Sequence, residues 1–213
     1  AHKIAYCFLI NQLNSRVFMS FSPTFQEDAE KLFMPNQEVG SILKSSATTF
    51  TDNMKLPVHR WYRYSAGYSA EWAGSLMRHW GVKNVLDPFG GSGTTVLSAQ
   101  EQGINAYGVD VHPFVSKIAK AKLAWDVDIT ELRECFNHVI SSTGQRKLVS
   151  IPSSPLAKKC FPDDDVFHDL LKIRDGVLEL DQCLPISKLV WLAFVGIIRA
   201  TSPAGTAQWQ YIL

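Results

Sequence analysis

A glycine-rich turn between a strand pattern and a helix pattern is the feature that most constrains the fold of this chain. Residues 84–87 have the composition of a short buried strand, residues 94–102 suit a helix that Gly103 ends, and residues 106–110 form a second strand pattern. A strand, a loop, a helix and a strand in this order form a βαβ unit, whose strands lie parallel with a right-handed crossover. The sequence therefore predicts an α/β fold.

Helical spacing is typical of most of the remaining sequence. Helices are predicted over residues 114–124, 129–140, 163–180 and 186–200, with a loop near residues 150–155. Before the first strand, Ser69 suits the N-cap of a helix that ends at His79 or Trp80, because Gly81 follows.

The N-terminal quarter has weaker signals. Residues 4–10 and 17–21 suit two short strands or an apolar helix, and the segment up to Phe33 suits a helix. Residues 36–53 are rich in Ser and Thr and predict a loop or an arm. We therefore divide the chain into an N-terminal segment of uncertain fold (1–53), a βαβ core (54–125) and a mainly helical segment (126–213).

Charge and cysteine usage exclude several classes of site. The 21 Lys and Arg residues nearly balance the 20 Asp and Glu residues, so a nucleic-acid partner would need a local basic patch. The four cysteines, at positions 7, 135, 160 and 183, form no CxxC pair, which argues against a zinc site and a redox dithiol and favours reduced, mostly buried thiols. His112 and His168 have no partners at ligand spacing, so no metal is predicted.

No membrane segment is expected. The longest strongly apolar run, residues 189–198, is about half of the ~20 residues that a membrane helix needs, and it predicts a core helix. Residues 1–10 faintly imitate a secretory signal but have no small-residue cleavage pattern. A cytoplasmic location is the simplest expectation.

The glycine turn lacks the marks of two common nucleotide sites. A Walker phosphate loop has a Lys after its last glycine, whereas Thr94 follows Gly93 here. The dinucleotide fingerprint has a third Gly or Ala where this chain has Val96. Nucleoside triphosphates, NAD and FAD are therefore disfavoured.

The turn instead resembles a methyltransferase motif. Residues 87–95 read Asp-Pro-Phe-Gly-Gly-Ser-Gly-Thr-Thr, similar to the sequence with which site-specific DNA amino-methyltransferases of restriction–modification systems hold S-adenosylmethionine. Residues 58–69 resemble the segment that precedes this motif in some of these enzymes, and the likeness extends over residues 50–125. It implies part of a Rossmann-like sheet and methylation of adenine N6 or cytosine N4.

The resemblance also implies roles for single residues. Asp87 and the glycine loop would hold the methionine amino group, Ser92 and Thr94 its carboxylate, and Asp110 both ribose hydroxyls. Val111 and Phe114 would pack on the adenine, and Tyr68 with Ser69 would close the methionine side. The full predicted cofactor set is Tyr68, Ser69, Asp87, Pro88, Phe89, Gly90, Gly91, Ser92, Gly93, Thr94, Asp110, Val111 and Phe114.

Two basic features have a functional and a structural interpretation. Residues 59–64 interleave basic and aromatic side chains, which suits contact with DNA, but Trp61 and Tyr64 suit core packing at least as well. Lys117, Lys120 and Lys122 have helical spacing and favour a solvated face over a phosphate track.

The acceptor side of a methyltransferase is not found, so no catalytic residue is assigned. The resembling family uses a loop of Asp, Asn or Ser, then Pro-Pro and an aromatic residue, but this sequence contains no Pro-Pro and residues 202–205 do not replace it. No Cys follows a Pro, which excludes the nucleophile of a cytosine-C5 enzyme.

We therefore expect the cofactor-binding portion of a larger enzyme. It would act on DNA with its missing remainder or a second chain, and would be inactive alone. An RNA guanine-N2 methyltransferase and a non-catalytic binding module remain the alternatives.

Overall fold

The computed structural model describes residues 49–64, 66–147 and 150–204. The expectations for residues 4–10, 17–21 and the helix to Phe33 lie outside these ranges, as does Cys7. The chain divides into two compact units, residues 1–123 and 124–213, and we describe each by itself.

The described part of the first unit contains two short 3-10 helices, Phe50–Lys55 and His59–Trp61, and a compact α/β arrangement. Its elements are α1 (Ala70–His79), β1 (Asn84–Asp87), α2 (Thr94–Gln100), β2 (Asn105–Gly108) and α3 (Pro113–Lys122). The prediction of a loop over residues 36–53 is wrong for its last residues, because they belong to the first 3-10 helix. Asn53 anchors this turn, because its side chain donates to the Tyr68 carbonyl and accepts from the Ala70 amide, both at 2.8 Å.

The predicted parallel pairing is confirmed. β1 and β2 form a two-stranded parallel sheet, in register from Asn84 opposite Asn105 to Asp87 opposite Gly108. The prediction that the second strand covers residues 106–110 is wrong by one residue at its start and two at its end. Beyond Gly108 the chain turns to the glycine loop, since the Val109 carbonyl accepts from the Gly90 amide at 2.8 Å. The Rossmann-like character of the sheet stays a prediction.

Helix α1 begins as its sequence predicts. The Ser69 side chain accepts from the Trp72 amide, and Gly81 has a φ of +58° just after the helix ends. Its inner face packs on β1 and α2 through Ala73, Met77, Val85 and Ala99, which are all at most 4% exposed. This packing joins α1, β1 and α2 in one apolar cluster.

The second unit is helical in its described residues. It contains α4 (Ile129–Thr143), α5 (Pro155–Cys160), α6 (Asp164–Glu179) and α7 (Pro185–Thr201). Three of these helices confirm the predicted ones, whereas α5 was missed because it has only six residues. No helix in the described ranges is long and apolar enough to cross a membrane. The expectation of mostly buried thiols is wrong for the described cysteines, because Cys135 and Cys160 are half-buried and Cys183 is exposed.

Candidate functional site

The Asp87 carboxylate lies buried at the end of β1, with 2% of the residue exposed. Oδ1 accepts from the Phe89 amide at 3.0 Å, and Oδ2 accepts from the hydroxyls of Thr95 at 2.5 Å and Tyr68 at 3.1 Å. The two hydroxyls also contact each other. Asp87 thus joins the glycine loop, the first turn of α2 and the residue before the N-cap of α1.

Tyr68 is a hydrogen-bond donor in this network. Burial and the neighbouring Asp87 charge raise the pKa of its phenol far above the ordinary value of 10.0, so the hydroxyl stays protonated. The sequence predicts Tyr68 at the methionine side of a cofactor, and the structure places its hydroxyl on Asp87 and Thr95. Ser69, also in the predicted set, is 2% exposed and caps α1.

Asp110, two residues after the end of β2, lies against the same loop. Its Oδ2 accepts from the Gly91 amide and its Oδ1 accepts from the His112 amide, both at 2.8 Å. Each oxygen retains a second lone pair, and the residue is only half-buried. The two acidic residues that the sequence singles out are therefore brought to one loop.

The fold itself requires two glycines of the loop, in addition to the close approach of a cofactor that the sequence predicts. Gly91 and Gly93 have φ values of +50° and +90°, which side chains rarely adopt. A Cβ at Gly93 would lie 3.0 Å from the Ala119 Cβ, so this glycine lets α3 pack closely on the loop. Gly90 and Pro88 are half-buried beside them.

The predicted adenine-contacting residues are exposed. Val111 is fully exposed and Phe114 is 40% exposed, although the Phe114 ring meets the Tyr62 ring edge-on at 6.2 Å. Phe89, in the loop itself, is 58% exposed. Apolar side chains therefore remain accessible beside Asp110.

The structure also contains a cleft that sequence reasoning missed. Its lining residues are Phe50, Asn53, Met54, His59, Tyr62, Tyr64, Gly67, Ser92, Thr94 and Lys122. Lys122 is 3% exposed, and its Nζ donates to the His59 carbonyl at 3.0 Å and the Tyr62 carbonyl at 3.5 Å. The solvated face expected for Lys122 is therefore wrong. A signal existed, because Lys122 shares the helical spacing of the buried Val115 and Ile118.

Burial changes the protonation of two groups at this cleft. It lowers the pKa of Lys122 to about 8, and the pKa of His59 falls to about 4 through burial first and the Lys122 charge second. Burial outweighs the Glu101 carboxylate oxygen 3.7 Å from His59 Nε2, so His59 is neutral at pH 7, and Nε2 makes no hydrogen bond. Lys122 supplies the positive charge of the cleft.

Comparisons with known proteins match the glycine loop and its surroundings. The family described as DNA methylase matches residues 82–121. Over 65% of its own length, the chain is 28% identical to the type II methyltransferase M.BsoBI of Geobacillus stearothermophilus. Over 32% of its own length, it is 41% identical to the type II methyltransferase M.MjaII of Methanocaldococcus jannaschii. The resemblance to DNA amino-methyltransferases of restriction–modification type is confirmed. No solved structure matches the chain.

The likeness to these methylases is partial in length. The chain covers 30% of M.BsoBI and 13% of M.MjaII, and 21% of the type II methyltransferase M.AvaI of Nostoc, to which it is 27% identical over 101 residues. The methylase match includes Asp87 and Asp110, whereas Tyr68, His59 and Lys122 lie outside it.

The run of residues 59–64 does not form one uniform surface. His59 is buried, while Arg60, Trp61 and Arg63 are exposed, and the Arg63 guanidinium lies 5.8 Å from the centre of the Phe50 ring. Core packing is therefore wrong for Trp61, which is 41% exposed. Contact of this run with DNA stays a prediction. The described residues contain no group of three or more His, Cys, Asp or Glu side chains that could hold a metal ion.

Proposed function

We propose that this chain is the S-adenosylmethionine-binding portion of a site-specific DNA amino-methyltransferase that modifies adenine N6 or cytosine N4. The observation that supports this most is the convergence of Asp87 and Asp110 on one glycine loop at the ends of two parallel strands. Carboxylates at this edge suit a ligand with a cationic amino group and a ribose. The DNA methylase match over residues 82–121 supports DNA over RNA as the acceptor.

The residues fit the cofactor in different ways. Asp110 is half-buried, and each of its oxygens has a free lone pair for a ribose hydroxyl. Asp87 is almost fully enclosed and accepts three internal hydrogen bonds, so its larger task is to shape the loop. Exposed Val111 and Phe114 offer an apolar surface for the adenine beside Asp110.

The proposed reaction needs one site for the methyl donor and a separate site for the methyl acceptor. S-adenosylmethionine supplies an electrophilic methyl group on a sulfonium, and the residues of the first unit orient it and exclude water from the buried end of the loop. An acceptor nitrogen must also be held in line with that methyl group, since positioning provides much of the rate. With no Pro-Pro loop in the sequence, we propose that the acceptor site needs residues outside these 213.

Calorimetry with S-adenosylhomocysteine tests the donor site. Asp110→Ala should weaken binding by roughly 10- to 150-fold, because a charge-assisted hydrogen-bond pair is lost. Asp126→Ala, an exposed acidic residue, is the matched control and should bind as the original chain does. Unchanged affinity in Asp110→Ala would contradict the ribose assignment, and no binding by the original chain would contradict the proposed function.

Transfer of labelled methyl groups tests the acceptor side. The chain alone should methylate neither DNA nor transfer RNA, and a second chain that supplies the Pro-Pro loop should restore transfer to DNA. Transfer to RNA would favour the guanine-N2 alternative. Cofactor binding without transfer, with any partner, would favour a non-catalytic module.

A further inference from the structure

The segment that follows the second 3-10 helix lies against the candidate cofactor site. Tyr62 has an extended backbone, with a φ of −143° and a ψ of 120°. Alternate side chains of an extended chain lie on the same side, so Tyr62 and Tyr64 share one side and Arg63 lies on the other. The exposure of these residues agrees, because both tyrosines are half-buried and Arg63 is exposed. The two tyrosines therefore lie on the inner side of the segment.

Both tyrosine rings contact residues of the predicted cofactor set. The Tyr62 ring meets the Phe114 ring edge-on, with 6.2 Å between the ring centres and 74° between the ring planes. The Tyr64 ring lies against Gly91, because a Cβ added at this glycine would be only 3.2 Å from Tyr64 Cε1. The Gly91 amide donates in turn to Asp110 Oδ2 at 2.8 Å. Two separate contacts thus join this segment to the surroundings of Asp110.

A buried lysine holds the segment in place. Lys122 Nζ, in the last turn of α3, donates to the carbonyls of His59 at 3.0 Å and Tyr62 at 3.5 Å. The cleft beside Lys122 has room for little more than one water molecule, so this ammonium serves the fold and not a ligand. The backbone of Tyr62 is therefore fixed before a ligand binds, which lowers the entropic cost of binding.

The surface beside the Tyr62 ring is open, unlike this cleft. Val111 is fully exposed and Phe114 is 40% exposed, and both follow Asp110 closely in the chain. The His112 ring also meets the Phe114 ring edge-on, at 6.4 Å. A flat base on a ribose that is bound by Asp110 can reach this surface, and contact between a base and aromatic rings is favourable.

We propose that Tyr62 forms part of the adenine subsite of S-adenosylmethionine, as a second aromatic side chain beside Phe114. This inference rests on the proposed function and extends it to a residue outside the methylase match, which covers residues 82–121. Because the two rings meet at 74°, one of them can pack on the face of the base and the other on its edge. Contact with Tyr62 also limits how the Phe114 ring can turn.

The test compares two ligands that share the ribose and the amino-acid end and differ in the base. S-adenosylhomocysteine has the adenine, and S-ribosylhomocysteine has a hydroxyl in its place. In calorimetry, Tyr62→Ala should weaken binding of the first by roughly 5- to 150-fold, the range for a base on an aromatic ring, and leave the second nearly unchanged. Tyr62→Phe keeps the ring and should bind both ligands as the original chain does. An equal loss for both ligands in Tyr62→Ala would show that Tyr62 only supports the fold, and would overturn the proposal.

Two further variants are the controls for this comparison. Asp110→Ala removes the proposed ribose acceptor, so it should weaken binding of both ligands by a similar factor. Tyr107→Ala removes a tyrosine that is 68% exposed on β2, and it should alter neither affinity. If Tyr107→Ala weakened binding of S-adenosylhomocysteine as much as Tyr62→Ala does, the effect would not be specific to Tyr62 and the assignment would be overturned.

A measurement on the unaltered chain does not depend on the folding of a variant. With S-adenosylhomocysteine bound, nuclear Overhauser effects should connect the adenine protons with the ring protons of Tyr62. The absence of these effects in a saturated complex would overturn the Tyr62 assignment and leave the proposed function intact. If the unaltered chain did not bind S-adenosylhomocysteine at all, the proposed function would fail instead.

Discussion

The two units differ in what they bury. In the described part of the first unit, nine polar or charged side chains are buried, whereas the described part of the second unit buries only Ser187. The nine are Asn53, His59, Ser69, Asp87, Ser92, Thr94, Thr95, Ser98 and Lys122. The second unit is held by apolar side chains on α4, α6 and α7, such as Val139, Leu171 and Val190. The polar interior coincides with the candidate site.

This difference indicates that stability and ligand binding are coupled in the first unit. Most buried polar groups are hydrogen-bonded, and each hydrogen bond fixes the position of the two groups that it joins. Ser98, for example, donates to the Ala70 carbonyl at 3.3 Å and so ties α2 to α1. Apolar packing is less directional and tolerates substitution of similar volume. We therefore expect changes in the first unit to alter stability and ligand binding together.

The largest effect is expected at Asp87. Asp87→Ala removes the carboxylate that accepts from the Phe89 amide and from the Tyr68 and Thr95 hydroxyls, and should lower the free energy of unfolding by about 3–5 kcal/mol. Urea unfolding followed by circular dichroism measures this. Leu171→Ala, in the second unit, should also destabilise the chain through a cavity, by about 2–5 kcal/mol.

A second substitution, Thr95→Val, distinguishes the loss of the Asp87 hydrogen bonds from the formation of a cavity at Leu171. With Thr95→Val in the background, Asp87→Ala should cost less than it does alone, because one of the three donors to the Asp87 carboxylate is already absent. The same background should not change the cost of Leu171→Ala. Additive effects of Asp87→Ala and Thr95→Val would contradict the polar network.

Local patterns predict the helices and the parallel pair, but not the polar interior. Ser69, the glycine loop and the strand at residues 84–87 are defined by neighbouring residues, so their structure could be read from the sequence. The pairing of Tyr68 with Asp87 joins residues 19 apart, and the Lys122 contact with His59 joins residues 63 apart. Such contacts depend on how the helices pack. The resemblance to methylases identified the loop, and only the structure identified the cleft.

An acid-dependent loss of stability is the second prediction. The pKa of His59 is about 4 in the fold against an ordinary value of 6.5, so the unfolded chain binds more protons between these pH values. Stability is therefore fully present above pH 6.5 and falls as the pH decreases toward 4, by up to about 3 kcal/mol from this group. The described part of the second unit has no buried titratable side chain to contribute similarly.

Urea unfolding at pH 7 and pH 4.5 measures this difference. His59→Gln should remove a large part of the pH dependence, whereas His79→Gln, at an exposed position, should retain it. Carboxylates also titrate in this range, so the comparison between the two variants is the decisive quantity. An identical pH dependence in both would refute the role of His59.

The smallest effect on stability is expected at the helix N-caps, and we compare one N-cap from each unit. The Ser69 hydroxyl, 2% exposed, accepts from the Trp72 amide at 3.2 Å, and the exposed Ser154 accepts from the Ala157 amide at 3.4 Å. Ser69→Ala should cost about 1 kcal/mol, and Ser154→Ala less, because water can replace the exposed cap of a short helix. Ser69→Thr should retain most of the stability, since it keeps the hydroxyl.

Thermal unfolding measures stability, and calorimetry with S-adenosylhomocysteine measures binding. If Ser69→Ala weakened binding without lowering stability, Ser69 would contact the cofactor, as the methylase resemblance implies, and the helix cap would be secondary.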